Sequence, residues 1–109
     1  MKVAVALFGE RISPHFASAP ELLIVILQEG KVHSSGKVAT VGMSSRERVL
    51  KLVSLGVDVL VCGGISRGVQ MELERKGIKV LANMEGDPME VISSLGDCGA
   101  KDSPAAGKN

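Results

Sequence analysis

Aromatic side chains are nearly missing from this chain: it has no Trp, no Tyr and two Phe, Phe8 and Phe16, among 109 residues. Proteins that hold single-stranded nucleic acid stack bases on aromatic platforms, and those platforms are not available. An excess of one charge is missing too. Lys and Arg number 13 against 12 Asp and Glu, a formal net charge of +1, whereas a general nucleic-acid binder shows a basic excess. Apolar stretches such as Leu22–Leu27 are far shorter than the ~20 residues that cross a bilayer as a helix. Neither nucleic acid nor membrane is therefore an expected partner. Cysteine is scarce, with Cys62 and Cys98 only, which is too few for a disulfide scaffold. The amino-terminal run has one Lys and no convincing cleavage site, so it is read as a strand rather than a secretory signal, and the cytoplasm is expected. In that compartment each cysteine stays reduced, either as a small inert hydrophobe or as a soft metal ligand.

What the chain does have is 45% hydrophobic and 23% charged residues, enough for the packed core of one domain. Val3–Leu7 and Leu22–Leu27 are continuous apolar runs, the pattern of strands buried on both faces. Between them, Gly9–Pro20 carries Gly, Ser and two Pro and reads as a loop. Glu29-Gly30 is a hairpin turn leading to a more polar edge strand, Lys31–Val41, with a bulge expected at Ser34-Ser35-Gly36. Ser44 and Glu47 form a capping-box start for a helix that Gly56 stops. Val57–Cys62 is a fourth strand, and Ser66 caps a helix to about Lys76 that Gly77 stops. Ile78–Ala82 is a fifth strand, and Asp87-Pro88 opens a third helix that Gly96 is expected to end. The order β-β-β-α-β-α-β-α predicts an α/β fold: a mixed five-stranded sheet with helices on both faces. One domain is expected over residues 1–96, followed by a flexible tail over 97–109.

Ligands of open α/β sheets sit beyond the carboxyl ends of the parallel strands. Three loops are predicted to converge there, after the first, fourth and fifth strands. They carry Arg11, Ser13, His15, Cys62, Ser66, Arg67, Asn83, Met84 and Glu85. Gly63 and Gly64 let a ligand approach the backbone, and the helix that follows favours an anion. Each residue has a structural reading beside the functional one. Cys62 ends an apolar strand as buried cysteines do, His15 is either a ligand or a hydrogen-bond partner within its own loop, and Met84 is either packing or a thioether donor.

Catalytic templates fit poorly. Gly63 and Gly68 have the outer spacing of a phosphate loop, but Val69 and Gln70 stand where Lys and Ser/Thr are required. No G-x-G-x-x-G follows the first strand, no G-x-S-x-G elbow is present, and there is no C-x-x-C.

Several short motifs, in order, carry a family likeness. Ser13-Pro14-His15-Phe16, Ala19-Pro20 and the strand Leu22–Ile26 come first. Gly56–Val61 with Cys62-Gly63-Gly64-Ile65 follows, then Gly77–Val80 and Gly86-Asp87. From about Met1 to Gly96 the chain resembles the dinitrogenase iron–molybdenum cofactor biosynthesis family. The resemblance implies a ribonuclease H-like three-layer fold without nuclease activity. It implies a small non-catalytic protein that binds or carries an iron–molybdenum or related metal–sulfur cluster, or its precursor, for an acceptor metalloprotein. Among family ligands it carries over His15 and Cys62 as metal ligands. Ala17-Ser18 stands where many members have Gly-Arg. Arg11, Ser13, Gly63, Gly64, Ser66, Arg67 and Met84 complete the expected binding set, and a monomer or weak homodimer is expected. The competing reading is a metal-free interaction or regulatory protein that uses the edge strand Lys31–Val41 to pair with a partner or a second copy.

Overall fold

Lys2–Phe8 forms strand β1 at the centre of the sheet, because Val3–Leu7 are all buried and alternate between two hydrophobic layers. The computed structural model describes residues 1–101, with side-chain surroundings for residues 1–95. The remaining strands are β2 (Arg11–Ile12), β3 (Glu21–Gln28), β4 (Lys31–Ala39), β5 (Val59–Val61) and β6 (Lys79–Leu81). The helices are α1 (Ser45–Ser54), α2 (Arg67–Arg75) and α3 (Pro88–Lys101). The sheet runs β4-β3-β1-β5-β6, with β2 paired to β1. β3 is antiparallel to β1 and β4, while β5 is parallel to β1 and β6. The mixed α/β architecture expected from the sequence is the one observed.

Period-two alternation sorts the core. Val3, Val5 and Leu7 join Val25, Val59, Val61 and Ile92 of α3 on one face. Ala4 and Ala6 join Leu60, Cys62, Val49 and Leu52 of α1, and Leu73 of α2 on the other. Helices therefore cover both faces, giving three layers. The two small alanines leave room on the second face for Phe16, which is fully buried there.

The helix signals act as read. The Ser44 side chain accepts from the Glu47 N–H, and the Glu47 side chain accepts from the Ser44 N–H. Ser66 caps α2 through the Val69 N–H, and Asp87 accepts from the Met89 N–H at 2.9 Å. Gly56 and Gly77 take left-handed backbone, with φ of 70° and 87°.

Four expectations need correction. The sheet has six strands; β2, two residues long, is too short to show a hydrophobic period. The 9–20 segment also holds a one-turn 3-10 helix at Phe16–Ser18. The bulge lies one position earlier than expected: Leu27 pairs with Val32 and Ile26 with Ser34, so His33 is the extra residue. Finally, α3 runs past Gly96 to Lys101. Glycine inside a helix costs only about 1 kcal/mol, so it stops one only where the backbone turns left-handed. The helix thus crosses the boundary expected at residue 96, and residues 102–109 of the expected tail lie outside the described residues. No helix among the described residues is long and apolar enough to cross a membrane.

Candidate functional site

The carboxyl ends of β1, β5 and β6 point the same way, and the three loops that leave them are joined backbone to backbone. The Gly64 N–H donates to the Pro14 carbonyl at 2.7 Å, and the Phe16 N–H donates to the Gly64 carbonyl at 2.8 Å. His15 and Gly64 thus form a one-residue parallel bridge. The Asn83 N–H donates to the Gly63 carbonyl at 2.8 Å and the Met84 N–H to the Cys62 carbonyl at 3.0 Å. The Ile12 N–H closes the ring by donating to the Gly86 carbonyl at 3.0 Å.

This closeness explains Gly63. A Cβ there would collide with the Ser13 carbonyl oxygen and stand 2.7 Å from the Pro14 oxygen. No side chain fits against an immovable backbone at that distance. The first loop is tied at other points as well. The buried Ser13 is bonded to backbone at three points: its N–H donates to the Ala6 carbonyl at 2.7 Å, and its Oγ donates to the His15 carbonyl at 2.9 Å and accepts from the His15 N–H at 3.3 Å. At the far end of the loop, the Ala19 carbonyl accepts from the buried Arg48 guanidinium and from Thr40 Oγ1. Burial holds the Arg48 pKa below its ordinary value.

Beyond this ring lies an open cleft of about 780 Å³. Arg11, Gly63, Gly64 and Met84 line it, as the sequence suggested, together with Asn83 and Glu85 from the same loops. Phe8, Ile12, Pro14 and Gly86 also line it. Phe8, at the start of the first loop, follows the buried run Val3–Leu7 and is 64% exposed at the cleft wall. Asn83 has a φ of 61°, a left-handed conformation that asparagine tolerates better than most residues.

The expected rim is divided. His15 is exposed and lines a neighbouring hollow of about 320 Å³ with Phe16, Ser45, Ser66 and Val69. Gly64 belongs to both walls. Arg67 opens α2, exposed, and lines neither hollow. Ser13 is buried under the loop and holds the His15 backbone instead of facing a ligand.

Cys62 is the main correction. Its side chain continues the alternation of Leu60 and lies in the core, fully buried, and it does not face the rim. Burial pushes its thiol from the ordinary 9.0 up to about 11, which disfavours the thiolate that a metal ligand requires. The side chain of Cys98 lies outside the described residues. Among the described residues, no group of three or more His, Cys, Asp or Glu is arranged to hold a metal ion.

A family model described as "Dinitrogenase iron-molybdenum cofactor" matches residues 1–97. The chain belongs to that family. Among solved structures, PH0822 superposes with a TM-score of 0.83 at 19% identity over 89% of each chain, a likeness of fold. A Methanocaldococcus jannaschii protein provisionally described as a dinitrogenase gives 0.74 at 25% identity, covering 92% of this chain and 90% of that one. A Thermotoga protein provisionally described as a NifB protein gives 0.65 at 25% identity, covering 88% and 87%. No curated protein sequence matches the chain. The neighbours share the fold of this chain.

Two outcomes test this geometry. Gly63→Ala is expected to lower stability by about 1–3 kcal/mol through overpacking. Gly68→Ala, where nothing lies within 4 Å of the added carbon, is expected to lose nothing and gain up to about 1 kcal/mol. Urea unfolding midpoints compare the two; equal midpoints would contradict the close approach at Gly63. In a Cys98→Ser background, Cys62 is expected to react with iodoacetamide at pH 8 at least ~100-fold slower in the folded protein than in urea, from its thiolate fraction alone. The sign for stability follows from the same shift. Folding favours the neutral thiol, so this contribution is full below about pH 9 and is lost as pH rises toward about 11.

Proposed function

We propose that the protein holds an iron- and/or molybdenum-containing sulfur cluster, or a precursor of one, as transient cargo in the cytoplasm. It passes that cargo to an acceptor metalloprotein and catalyses no chemical step. The observation that carries the reading is the open cleft at the carboxyl edge, walled by glycine backbone, in a chain of the dinitrogenase-cofactor family.

A sulfide-bridged cluster is a soft anion that brings most of its own ligands. It needs an imidazole or sulfur donor, hydrogen-bond donors and a nearby cation. The residues fit that need in part. His15 supplies an exposed imidazole beside Gly64, and Met84 supplies a thioether on the cleft wall. Arg11 and the Asn83 amide offset negative charge, and Gly63 and Gly64 present no side chain in the way of a bulky guest. Ser66 borders the His15 side, and Arg67, just beyond it, adds cationic potential from the start of α2 without lining either hollow. Glu85 shares the cleft wall and limits how much negative charge the cleft accepts.

A donor set this small suits release. A resident cluster is held by three or four protein ligands, whereas one imidazole and a thioether let go of their guest when an acceptor offers more. Cys62 serves this reading as packing beneath the glycines.

Anaerobic loading with ferrous iron, tetrathiomolybdate and sulfide, followed by gel filtration and elemental analysis, tests the proposal. The native protein is expected to retain metal and a visible absorption band. His15→Ala is expected to retain at least about tenfold less, and Cys62→Ala is expected to match the native protein. A native protein that elutes without metal, or a His15→Ala variant that loads as well as native, would overturn the reading.

A further inference from the structure

The sheet has an exposed edge whose residues do not line the cleft. β4 is the terminal strand of the sheet on the side opposite β6, and no strand pairs with its outer edge among the described residues. Eight of its nine residues are exposed. Hydrogen bonds in the adjoining strands fix which of its backbone groups are free. In an antiparallel pair, a residue's N–H and C=O point to the same neighbour, and successive residues alternate. The Leu27 N–H donates to the Met1 carbonyl and the Met1 amine to the Leu27 carbonyl, so the odd-numbered residues of β3 face β1. The even-numbered residues Leu22, Ile24 and Ile26 therefore face β4, bonded to Val38, Gly36 and Ser34. The Thr40 N–H, donating to the Pro20 carbonyl at 2.9 Å, keeps the same phase. Ser35, Lys37 and Ala39 are left with N–H and C=O directed outward.

That free row is open to strand addition. Ser34, Ser35 and Gly36 are too small to shield it, and the bulge at His33 confines the regular ladder to residues 34–39. The charges select the occupant. β4 carries Lys31, His33 and Lys37 and no carboxylate. Antiparallel pairing of two copies brings the Lys31 and Lys37 ammonium groups of both along one seam, which disfavours self-association. An extended segment with carboxylates at alternate positions meets Lys37 with opposite charge while its backbone bonds to Ser35, Lys37 and Ala39.

We infer that the outer edge of β4 docks an acidic, extended segment of a partner protein by strand addition. β3 and β1 lie between this edge and the strands β5 and β6, so docking leaves the cleft open. This inference does not rest on the cargo reading.

The probe is a blocked nine-residue peptide of alternating Glu and Val, with an alternating Lys and Val peptide as control, added to the full chain. Amide hydrogen exchange by NMR reads the result. The Glu peptide is expected to protect the amides of Ser35, Lys37 and Ala39. The Lys peptide is expected to give at least fivefold weaker binding, as is Lys37→Glu with the Glu peptide. Lys37→Pro, which removes only an outward-facing N–H, is expected to fold and to lose the peptide; Lys37→Glu carries the test if it does not fold. His15→Ala is expected to bind the peptide as the native protein does. No protection by the Glu peptide at millimolar concentration would overturn the inference. So would equal binding of the two peptides, or concentration-dependent protection of β4 without peptide, which would mark a second copy as the occupant.

Discussion

One close approach organises the rest of this molecule: the backbone of Gly63 lies against the backbone of Ser13 and Pro14 with no room for a side-chain carbon. Because the chains touch there, the Gly64 N–H reaches Pro14 and the Phe16 N–H reaches Gly64. The His15 backbone is thereby fixed between two hydrogen bonds. The same Cys62–Gly64 segment receives the Asn83 and Met84 amides on its other side. Three loops that would otherwise move independently become one surface, set on the ends of β1, β5 and β6, whose central residues are buried. Every side chain offered to a guest is exposed or half-buried, while the groups that position it are inside. That division suits a protein that presents a surface to a bulky inorganic ligand.

The surface is sparing in donors. One imidazole, one thioether and one guanidinium face two adjoining hollows that share Gly64, and the thiol nearest them is locked in the core with its proton. A cleft that coordinated its guest through several thiolates would release it slowly. Membership of the dinitrogenase iron-molybdenum cofactor family and this sparse donor set together support the proposed handling of a cluster in transit. The docking inferred at the β4 edge would leave that cleft uncovered.

Much of the architecture was legible in the sequence because its signals are local. Val3–Leu7 and Leu22–Leu27 show buried strands, Ser44 with Glu47 and Asp87 with Pro88 show helix starts, and Gly56 and Gly77 show stops. Convergence of the three loops followed from the parallel order alone. The rest depended on contacts between distant segments. β2 has two residues and no period of its own. The phase of the β4 bulge is set by the strand opposite. Gly96 looks like Gly56 until the helix around it is seen to continue. In the site, the sequence named the loops and most of their residues but not the directions of the side chains. Cys62 shares the parity of Leu60, and extending the strand's alternation by one residue sends it inward. His15 and Met84 fall in adjoining hollows instead of one, because the pairing with Gly64 turns the first loop there, and no local pattern encodes that turn.

The most direct test of the central claim is the native-state hydrogen exchange of the Gly64 and Phe16 amides. If the Gly63 contact joins the loops into one rigid surface, both amides exchange about as slowly as those of β1 and β5, through the same global opening. Exchange of either amide at the rate of an unprotected loop would show that the loops move separately and that the cleft has no fixed floor.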